Sequence, residues 1–382
     1  MSANGAALSV RGAVLREMGL PAPYARSRPL EIAELELAGP GPGEMLVCVG
    51  AAGLCHSDLS VIDGSRPRVM PMVLGHEAAG EVVELGPGVE DFEVGDHVVM
   101  SFVPACGVCE PCRSGRPPLC DPGAAANTTG TLLGGERRWQ GGGGEELHHH
   151  LGVSAFAEQV VVSARSAVRI DRELPFEIAA LFGCAVLTGV GAAVNAANVR
   201  AGDSVAIFGL GGVGLAALLG ARVAGASRIV AVDVVPAKLE LARELGATAT
   251  VEAGEGVVEQ VRIAAGGAGA DTAIETVGSE RVLFDAYEAT KRGGTTVTVG
   301  LPHPSRMLAI PAVSLVAEER TLKGSYLGSS VPSIDIPRYV ELYKAGLLPV
   351  DRLLTHTIAL DEVNEAFDRL ASGEAVRQAI VF

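Results

Sequence analysis

The sequence predicts an α/β protein in which a doubly wound parallel sheet is joined to a second, mostly β domain. Three observations predict this class. A glycine-rich turn lies between two apolar runs at 204–233, strand-like and helix-like segments alternate after it, and short apolar runs broken by Gly and Pro precede it. The 382 residues suffice for two domains, and 48% apolar with 20% charged side chains favours a large core over disorder.

The N-terminal part is expected to supply the mostly β domain. Residues 1–10 are expected to form a loose tail. From Val14 to about Val103 the strand-like runs are LEIAELEL, EMLVCVGAAGL, GEVVELG and HVVMSF, with turns at Gly39–Gly43 and Gly86–Gly88. The strand pattern resumes from Phe156 to Val162.

A cysteine–histidine set in this part predicts a catalytic zinc site. Cys55 is followed 21 residues later by His76, and Cys184 lies far along the chain in FGCAVLTG. Each alone is more simply interpreted as an ordinary buried cysteine or surface histidine. Together, two thiolates and one imidazole form the mixed soft and borderline donor set that suits Zn²⁺, with a fourth position left open.

Four further cysteines predict a closed structural zinc site. Cys106, Cys109, Cys112 and Cys120 follow the spacing C-x2-C-x2-C-x7-C. Four thiolates complete a tetrahedral shell, so such a site ties down a loop and does no chemistry. A disulfide pair is the alternative, which a reducing compartment disfavours.

Residues 121–150 are Gly-rich and are expected to form a loop at the rim of the active site. They end in three consecutive histidines, His148–His150. Neighbouring residues of an extended segment point to alternating sides, so the three imidazoles are not expected to bind one ion together.

The segment Ser204–Asp233 predicts a βαβ unit that binds a dinucleotide. An apolar run leads into a G-x-G-x-x-G turn at Gly209, Gly211 and Gly214, an Ala/Leu-rich helical segment follows, and a second apolar run ends at Asp233. The glycines let the backbone approach a pyrophosphate at the helix N-terminus. Asp233, 19 residues beyond the last glycine, can accept hydrogen bonds from ribose hydroxyls and would repel a 2′-phosphate.

The alternation after this unit predicts the rest of the parallel sheet. Strands are expected in ATVE, DTAIETVG, TTVTVGL and TLKGSYLG, and helices in LELARELGA, GVVEQVRIAAGG, RVLFDAYEATKRGG and from Ile336 to Ala345. A short β/α tail ends at Phe382.

Charge and hydropathy limit the partners and the location. The net charge of −15 argues against a general nucleic-acid or anionic-membrane partner, since both need a basic face. Ser204–Ala221 carries no charge and could be taken for a membrane span, but five glycines within it argue against a lipid-facing helix. The first residues lack a basic and a long apolar region, so a cytoplasmic protein with reduced cysteines is expected.

With both cysteine sets and the βαβ unit in place, the chain resembles the zinc-containing alcohol dehydrogenases of the medium-chain dehydrogenase/reductase superfamily. The long form, akin to class I and class III enzymes, is the most similar. Matching motifs are Cys55–Asp58, GHEAAGEVVELGPGV, the four-cysteine loop, FGCAVLTG, GLGGVG, SGEAVRQAIVF and the insertion between Cys120 and Phe156. The resemblance implies a GroES-like catalytic domain with both zinc sites over 1–185, a Rossmann NAD-binding domain over 186–326, and a segment over 327–382 that returns to the catalytic domain.

The resemblance also implies roles at the catalytic metal. Cys55, His76 and Cys184 would ligate the zinc. Asp58 would orient His76 by a hydrogen bond, as partners of metal-bound histidines commonly do. Glu77 would lie just behind the metal and ligate it transiently.

Further roles concern the proton and the ligands. Ser57 would hydrogen-bond the alcohol oxygen, and Ser60 stands where many members carry the histidine that ends the proton relay. The implied cofactor residues are His56 and Arg377 at the pyrophosphate, Gly209, Gly211, Gly212 and Gly214 at the turn, Asp233 and Lys238 at the adenosine ribose, and Thr188 and Val213 at the nicotinamide. The implied substrate pocket comprises Phe102, His150, Leu151 and Tyr326, with His150 at a position usually aromatic or aliphatic.

The implied function is a zinc-dependent, NAD(H)-linked interconversion of primary or secondary alcohols with aldehydes or ketones by hydride transfer. A homodimer is expected, paired through an edge strand near Met307–Val313, since an unpaired apolar edge is a liability in a monomer. Two alternatives stay open. One is a formaldehyde dehydrogenase acting on an S-hydroxymethyl thiol adduct, and the other is a zinc-free binding or structural paralogue.

Overall fold

The computed structural model describes residues 7–382, and the chain in it divides into two compact units. The first unit contains the described residues up to Cys184 together with Val331–Val340 and Leu354–Phe382. The second unit contains Ala185–Ser330 and Glu341–Leu353. The expected α/β class, with a mostly β part and a parallel-sheet part, is confirmed.

The first unit is built from short strands of the kind that the apolar runs predict. Its N-terminal strands are β1 (Leu8–Leu15), β2 (Leu30–Leu37), β3 (Glu44–Gly53), β4 (Met72–Val73), β5 (Glu77–Leu85), β6 (His97–Met100), β7 (Trp139–Gly141), β8 (Glu145–His149), β9 (Gln159–Ser163) and β10 (Ala167–Arg169). Its N-terminal α-helices are α1 (Tyr24–Ser27), α2 (His56–Ile62), α3 (Glu110–Arg113), α4 (Asp121–Thr129) and α5 (Phe176–Ala179).

The second unit alternates helices with parallel strands, as its sequence predicts. Its helices are α6 (Ala185–Gly191), α7 (Gly212–Val223), α8 (Pro236–Leu245), α9 (Val257–Ala264), α10 (Glu280–Ala289) and α11 (Ala312–Ala317). Its strands are β11 (Ser204–Phe208), β12 (Arg228–Asp233), β13 (Ala249–Glu252), β14 (Ala270–Glu275), β15 (Thr290–Thr298) and β16 (Thr321–Gly324). The chain ends with α12 (Pro332–Lys344), β17 (Leu354–Ile358), α13 (Val363–Ser372) and β18 (Arg377–Val381).

Two β layers form the first unit. Strands β1, β2, β7, β8 and β4 close into a barrel, and a seven-stranded sheet has the order β10-β6-β5-β3-β18-β17, with β9 paired to β3. Inward apolar side chains fill one core, in which Trp139 is fully buried and the rings of Phe156 and Phe367 lie 6.1 Å apart. Closure leaves the barrel without a free edge.

The six strands of the second unit are all parallel, in the order β13-β12-β11-β14-β15-β16. The strand order reverses between β11 and β14, and ligands of such sheets bind at that switch point, beyond the carboxyl ends of the strands. Every residue of β11 is buried, as expected for a central strand covered on both faces.

The structure corrects several expectations for the first unit. Residues 8–10, expected in a loose tail, begin β1, and the rest of that tail lies outside the described residues. The segment 121–150 is not a loop, because it contains α4, β7 and β8. Burial of Trp139 pulls β7 into the barrel, and the Sγ of Cys120 accepts the N–H of Gly123 at the start of α4.

In the second unit, helix α10 stops five residues before the predicted end and β15 begins there instead. Thr290 takes an extended conformation, and its hydroxyl bonds the carbonyl of Ala286 at 2.8 Å, which closes the helix. The segment Met307–Val313, expected to be a strand, pairs with no strand among residues 7–382, and its last residues enter α11. The last strand of the sheet is β16.

The C-terminal segment expected over 327–382 is divided between the two compact units. Residues Glu341–Leu353 belong with the second unit. Arg352 explains this grouping, because its guanidinium pairs with Glu244 of helix α8 at 2.6 Å.

Among residues 7–382, no single helix is long and apolar enough to cross a membrane. The consecutive helical segments Phe176–Gly183 and Ala185–Ala196 meet that test by length and composition only when taken together across a bend.

Candidate active site

A buried cluster of two thiols, one imidazole and one carboxyl forms the centre of the first unit. The ligand atoms of Cys55, His76, Glu77 and Cys184 all lie within 4.8 Å of one another. Strand pairing brings the first three together, because β3 and β5 are antiparallel neighbours with Gly53 opposite Glu77. Cys55 then follows β3 and caps α2, while His76 immediately precedes β5.

The donor set fits a zinc ion. The Nδ1 of His76 lies 2.9 Å from the Oδ1 of Asp58, so the carboxylate accepts the ring proton there. The Nε2 of the same ring is buried and has no hydrogen-bond partner. An orphaned buried acceptor costs about 1–3 kcal/mol. This nitrogen lies within 4.8 Å of the thiols of Cys55 and Cys184, so a borderline metal ion such as Zn²⁺ could bind all three atoms and satisfy the unpaired nitrogen.

The two thiols differ in their affinity for a proton. The Sγ of Cys184 donates to the Sγ of Cys55, and this bond holds the pKa of Cys55 well below its usual value, with His76 acting in the same direction. The same contact and burial raise the pKa of Cys184. Metal-bound cysteines are deprotonated, so a cation bound between these sulfur atoms would displace their protons.

Asp58 is a fully buried carboxylate whose oxygens accept four contacts. Backbone N–H groups of Cys55 and Gly75 donate to it at 3.3 Å each. The Nδ1 of His76 lies 2.9 Å from the Oδ1 of Asp58, and the Nε2 of His150 lies 3.3 Å from the same oxygen. Burial raises the pKa of Asp58, but the neighbouring imidazoles of His76 and His150 more than offset this and lower it.

Glu77 is paired with an arginine 300 residues away in sequence. Its Oε2 accepts a hydrogen bond from the Nη2 of Arg377, and its Oε1 is buried without a partner. Gly53 lies opposite Glu77 on the neighbouring strand, and a Cβ at Gly53 would crowd the carboxylate, at 2.7 Å from Oε1. Burial raises the pKa of Glu77 to about 7, although Arg377 opposes the rise. Arg377 was expected at the cofactor pyrophosphate, whereas its guanidinium here is buried against Glu77.

The hydroxyls predicted for proton transfer lie on helix α2. The Oγ of Ser57 is half-buried, 3.8 Å from the Sγ of Cys55. The hydroxyl of Ser60 donates to the carbonyl of His56 at 2.8 Å, so it is held by its own helix. The side chain of His56 is exposed.

Two rings stand edge-on to His76. The ring centroid of Phe102 lies 5.3 Å from it and that of His150 lies 5.6 Å from it. Leu151, also expected in the pocket, is buried and adopts a left-handed backbone with φ of 53°. Tyr326 lies in the second unit and its side chain is partly exposed.

The three consecutive histidines have three different environments. The Nδ1 of His148 lies 3.0 Å from the carbonyl of Pro71, and the Nε2 of His149 accepts the backbone N–H of Arg138 at 3.1 Å. His150 faces Asp58. The divergence of His148 and His149 follows from the alternating side-chain directions of β8, and His150 comes directly after that strand.

The four remaining clustered cysteines also converge. The Sγ atoms of Cys106, Cys109, Cys112 and Cys120 lie within 4.8 Å of one another, and none is in a disulfide. Backbone N–H groups of Val108 and Cys109 donate to the Sγ of Cys106, which lowers the pKa of that thiol to about 6. Backbone donors around sulfur stabilise thiolates, so the donor set fits a four-thiolate zinc site.

The second unit carries the glycine turn and its acidic partner. Gly209 has a φ of +91°, which favours glycine, and a Cβ at Gly214 would collide with the carbonyl of Gly209. Gly211 caps α7, leaving its N-terminal N–H groups for an anion. The carboxylate of Asp233 accepts the N–H of Leu210 at 2.6 Å, which fixes it beside the turn.

The other expected cofactor residues of this unit lie on helices that flank the sheet. Thr188 is buried on α6, and Val213 is half-buried at the start of α7 beside Gly212. Lys238 is half-buried on α8, after the end of β12.

Comparison with known proteins identifies the family. A family model described as "Alcohol dehydrogenase GroES-like domain" matches residues 41–172, and one described as "Zinc-binding dehydrogenase" matches 212–345. A Mycobacterium tuberculosis protein provisionally named alcohol dehydrogenase D is 42% identical over 361 residues, which is 94% of this chain and 98% of that protein. The chain belongs to the zinc-containing alcohol dehydrogenases of the medium-chain dehydrogenase/reductase superfamily.

Other relatives of this alcohol dehydrogenase differ in their named activities. An NDMA-dependent alcohol dehydrogenase of Amycolatopsis methanolica is 41% identical, covering 94% of this chain and 97% of the relative. An S-(hydroxymethyl)glutathione dehydrogenase of Escherichia coli is 39% identical with the same coverage. The crystal structure of benzyl alcohol dehydrogenase from Acinetobacter calcoaceticus superposes with a TM-score of 0.91 at 33% identity, over 98% of this chain and 99% of that one.

The sequence located the local parts of the site and missed the distant pairings. The ligand atoms of Cys55, His76 and Cys184 lie together as the zinc hypothesis requires, and Asp58 contacts His76. Neither the pairing of Glu77 with Arg377 nor the approach of His150 to Asp58 was foreseen. No periodicity or spacing links residues so far apart, so the only available signal was the unusual histidine in a usually apolar position.

Proposed function

We propose that this alcohol dehydrogenase uses NAD(H) and two zinc ions per chain to interconvert primary or secondary alcohols with aldehydes or ketones. One observation carries the proposal. The buried Nε2 of His76 has no partner, lies within reach of the thiols of Cys55 and Cys184, and belongs to a ring whose other nitrogen is fixed by Asp58. The complete ligand set also argues against the zinc-free alternative.

Cys55, His76 and Cys184 would hold the catalytic zinc. A zinc ion bound there supplies Lewis acidity that lowers the pKa of an oxygen ligand, as it lowers that of water from about 16 to about 7. Ser57, half-buried beside Cys55, would accept the proton of the alcohol and pass it outward. One carboxylate oxygen of Glu77 lies within 4.8 Å of the other ligand atoms and its Oε1 has no partner, which supports the expected role of Glu77 as a transient ligand.

The second zinc ion would be held by the four-cysteine loop. Its four sulfur atoms leave no open position, so the ion would stabilise the loop rather than act on substrate. The seven free thiols support the expected cytoplasmic location, since both metal sites need reduced cysteines.

The position of Asp233 supports a preference for NAD⁺ over NADP⁺. Its carboxylate is held at the end of β12 by the N–H groups of Leu210 and Val235, at 2.6 and 2.9 Å, and would repel a 2′-phosphate. Asp233→Gly should shift the ratio of kcat/KM for the two cofactors toward NADP⁺ by about ten- to a hundredfold, because one unfavourable charge contact contributes a few kcal/mol at most. Asp203→Gly, at a turn before β11, is the control, and a wild type that prefers NADP⁺ would contradict the assignment.

A panel of acceptors and alcohols tests the proposed reaction. Primary and secondary alcohols, benzyl alcohol included, are oxidised with NAD⁺, NADP⁺ or NDMA as the acceptor. We expect turnover with added NAD⁺. Turnover that needs NDMA and does not respond to added NAD⁺ would resemble the named dependence of the Amycolatopsis relative and would contradict the proposed use of NAD(H) as the acceptor.

A second candidate function is oxidation of an S-hydroxymethyl thiol adduct. It is favoured by the 39% identity with the S-(hydroxymethyl)glutathione dehydrogenase. Oxidation of formaldehyde is measured with and without glutathione or a low-molecular-mass thiol. Turnover that depends on the thiol supports this function, and equal rates with and without it exclude it.

We also propose that the molecule is a homodimer. Exposed apolar residues cluster along 307–316, where Met307, Val313 and Val316 are 82%, 70% and 81% exposed. An apolar surface of this kind beside the last strand of a sheet favours association.

A further inference from the structure

We propose that His150 is a positioning residue that acts through Asp58 on the metal ligand His76. The Nε2–H of His150 would lie 3.3 Å from the Oδ1 of Asp58, as a partially positive group that helps to fix the carboxylate holding His76. This inference rests on the proposed zinc site, and it changes the expected role of His150 from a pocket-lining residue to a support of the metal centre.

The first support is the shared carboxylate oxygen. The Oδ1 of Asp58 lies 2.9 Å from the Nδ1 of His76 and 3.3 Å from the Nε2 of His150. Both imidazoles and the carboxylate are almost completely buried, with side-chain exposures of 0%, 1% and 0% for His76, His150 and Asp58. Water therefore cannot substitute for either imidazole at this oxygen.

The second support is the high cost of burying a carboxylate. A buried charge is tolerated only where donors replace its lost hydration. Asp58 receives backbone N–H groups of Cys55 and Gly75 at 3.3 Å, both of them long, and its shortest contact is to His76. The 3.3 Å contact to His150 is not an aligned hydrogen bond, but it brings a fourth partially positive group to the carboxylate.

The third support is the rigid placement of His150. Its backbone N–H donates to the Oγ of Ser154 at 2.7 Å, and its carbonyl accepts the N–H groups of Val153 and Ser154 at 3.0 and 3.2 Å. Leu151 takes the left-handed backbone that this turn needs. The backbone from which the ring approaches Asp58 is thus fixed, and rigid supports of this kind help to orient a metal-bound histidine.

The tautomer follows from the contact. An ionised carboxylate has only acceptors, so the imidazole nitrogen that faces it must carry a proton. His150 therefore presents Nε2–H to Asp58, and His76 presents Nδ1–H to the same oxygen, leaving its Nε2 lone pair for the metal. An aromatic or aliphatic side chain at position 150 would provide no such donor.

The experiment compares His150→Phe and His150→Leu, which remove the donor, with His150→Gln, which keeps an N–H at similar reach. His148→Gln is the matched control, because that neighbouring imidazole contacts the carbonyl of Pro71 instead. Zinc content is followed during titration with a chelator, and the catalytic site is then reloaded with Co²⁺ for its visible absorption spectrum.

We expect the wild type to bind two zinc ions and His150→Phe and His150→Leu to lose the catalytic ion at about tenfold lower chelator concentration, in the range typical for outer partners of metal ligands. The Co²⁺ spectrum should shift in both. His150→Gln should retain the catalytic zinc ion nearly as well as the wild type does. His148→Gln should match the wild type in both zinc retention and Co²⁺ spectrum. The four-cysteine zinc should be unchanged in all four variants.

Two results would overturn the inference. If both donor-free variants retain zinc and give the wild-type Co²⁺ spectrum, His150 does not act on His76. If they bind one ion fewer even at saturating zinc, His150 is a ligand and not a support. A wild type that binds no zinc at Cys55, His76 and Cys184 would instead refute the proposed function itself.

Discussion

At the scale of single residues, Ser60 is the clearest departure of this chain from its family. Many members carry a histidine there that ends the proton relay, and imidazole titrates near pH 6.5, which suits a terminal base at neutral pH. The hydroxyl of Ser60 has no such pKa and donates to the carbonyl of His56 at 2.8 Å. We therefore expect a proton leaving the alcohol to pass to water or buffer, the alternative being a relay that ends at His56 or His150.

Ser60→His should raise the rate of alcohol oxidation at pH 7 by about tenfold, below the usual 10²–10⁴ for a positioned base, because water already substitutes in part. The oxidation rate of the wild type should rise steadily from pH 7 toward 9, and that of the variant should rise less. Transient hydride transfer is measured by stopped flow, so that cofactor release cannot hide the step. Ser65→His, at a half-buried serine on the following turn, is the control. An unchanged transient rate and pH profile would show that Ser60 takes no part.

Chemistry-bearing residue types and contiguous motifs could be recognised in the sequence, including the distant Cys184 in its own motif. Cys55–Asp58 and the glycine turn form contiguous motifs whose geometry follows from a helix start, so their spacing carries the information. The contacts of Glu77 with Arg377 and of Asp58 with His150 join residues 300 and 92 positions apart. Such contacts depend on strand order, which no local pattern encodes.

At the scale of elements, strand β8 was hidden by composition. Its glycine-rich surroundings favour a loop, yet β8 closes the barrel between β7 and β4, and His149 at its end is fully buried. Tertiary packing decided the conformation here, since the buried Trp139 outweighs the weak strand propensity around it.

His149 makes the stability of this barrel depend on pH. Burial, together with the nearby positive charges of Arg138 and Arg137, lowers its pKa to about 3. Above pH 6.5 the residue is neutral in both the folded and the unfolded chain, and it contributes no pH dependence. Between pH 6.5 and 3 only the unfolded chain binds the proton. The free energy of unfolding therefore decreases by about 1.4 kcal/mol for each unit by which the pH is lowered.

His149→Gln should therefore flatten the pH dependence of stability. Between pH 6.5 and 4.5 we expect the slope of the unfolding free energy against pH to decrease by up to about 1.4 kcal/mol per unit. Urea denaturation at several pH values measures this slope. His356→Gln, at an exposed histidine, should leave it unchanged. An unaltered slope in His149→Gln would show that His149 is accessible to protons in the folded chain.

At the scale of the whole molecule, alternation of strands and helices was enough to predict the parallel sheet and the two-part organisation. The assignment of Glu341–Leu353 to the second unit could not be predicted in this way. Helix α12 continues through Val340 and Glu341, so the sequence pattern does not change where the chain passes from one unit to the other. The strand expected at Met307–Val313 is not formed among the described residues 7–382, where the last residues of the segment begin helix α11.

Sedimentation velocity at micromolar concentration should give a dimer. Val316→Glu should shift the equilibrium toward monomer by at least tenfold in dissociation constant, because a charge buried in an apolar interface costs several kcal/mol. Val94→Glu, at a 62% exposed valine of the first unit, is the control. A monomeric wild type, or a dimer insensitive to Val316→Glu, would contradict an interface at this segment.

The most direct test of the zinc-dependent chemistry is to measure zinc content and alcohol oxidation in the same samples, for the wild type and Cys184→Ala, during stepwise chelation. The wild type should hold two zinc ions per chain and lose activity with the first ion removed, before the far-ultraviolet circular dichroism changes, because the open site releases its metal more readily than the closed four-thiolate site. Cys184→Ala should hold only the four-cysteine ion, stay folded and be inactive. Full activity in Cys184→Ala, or less than one zinc ion per chain in an active wild type, would contradict the assignment of Cys55, His76 and Cys184 as the catalytic centre.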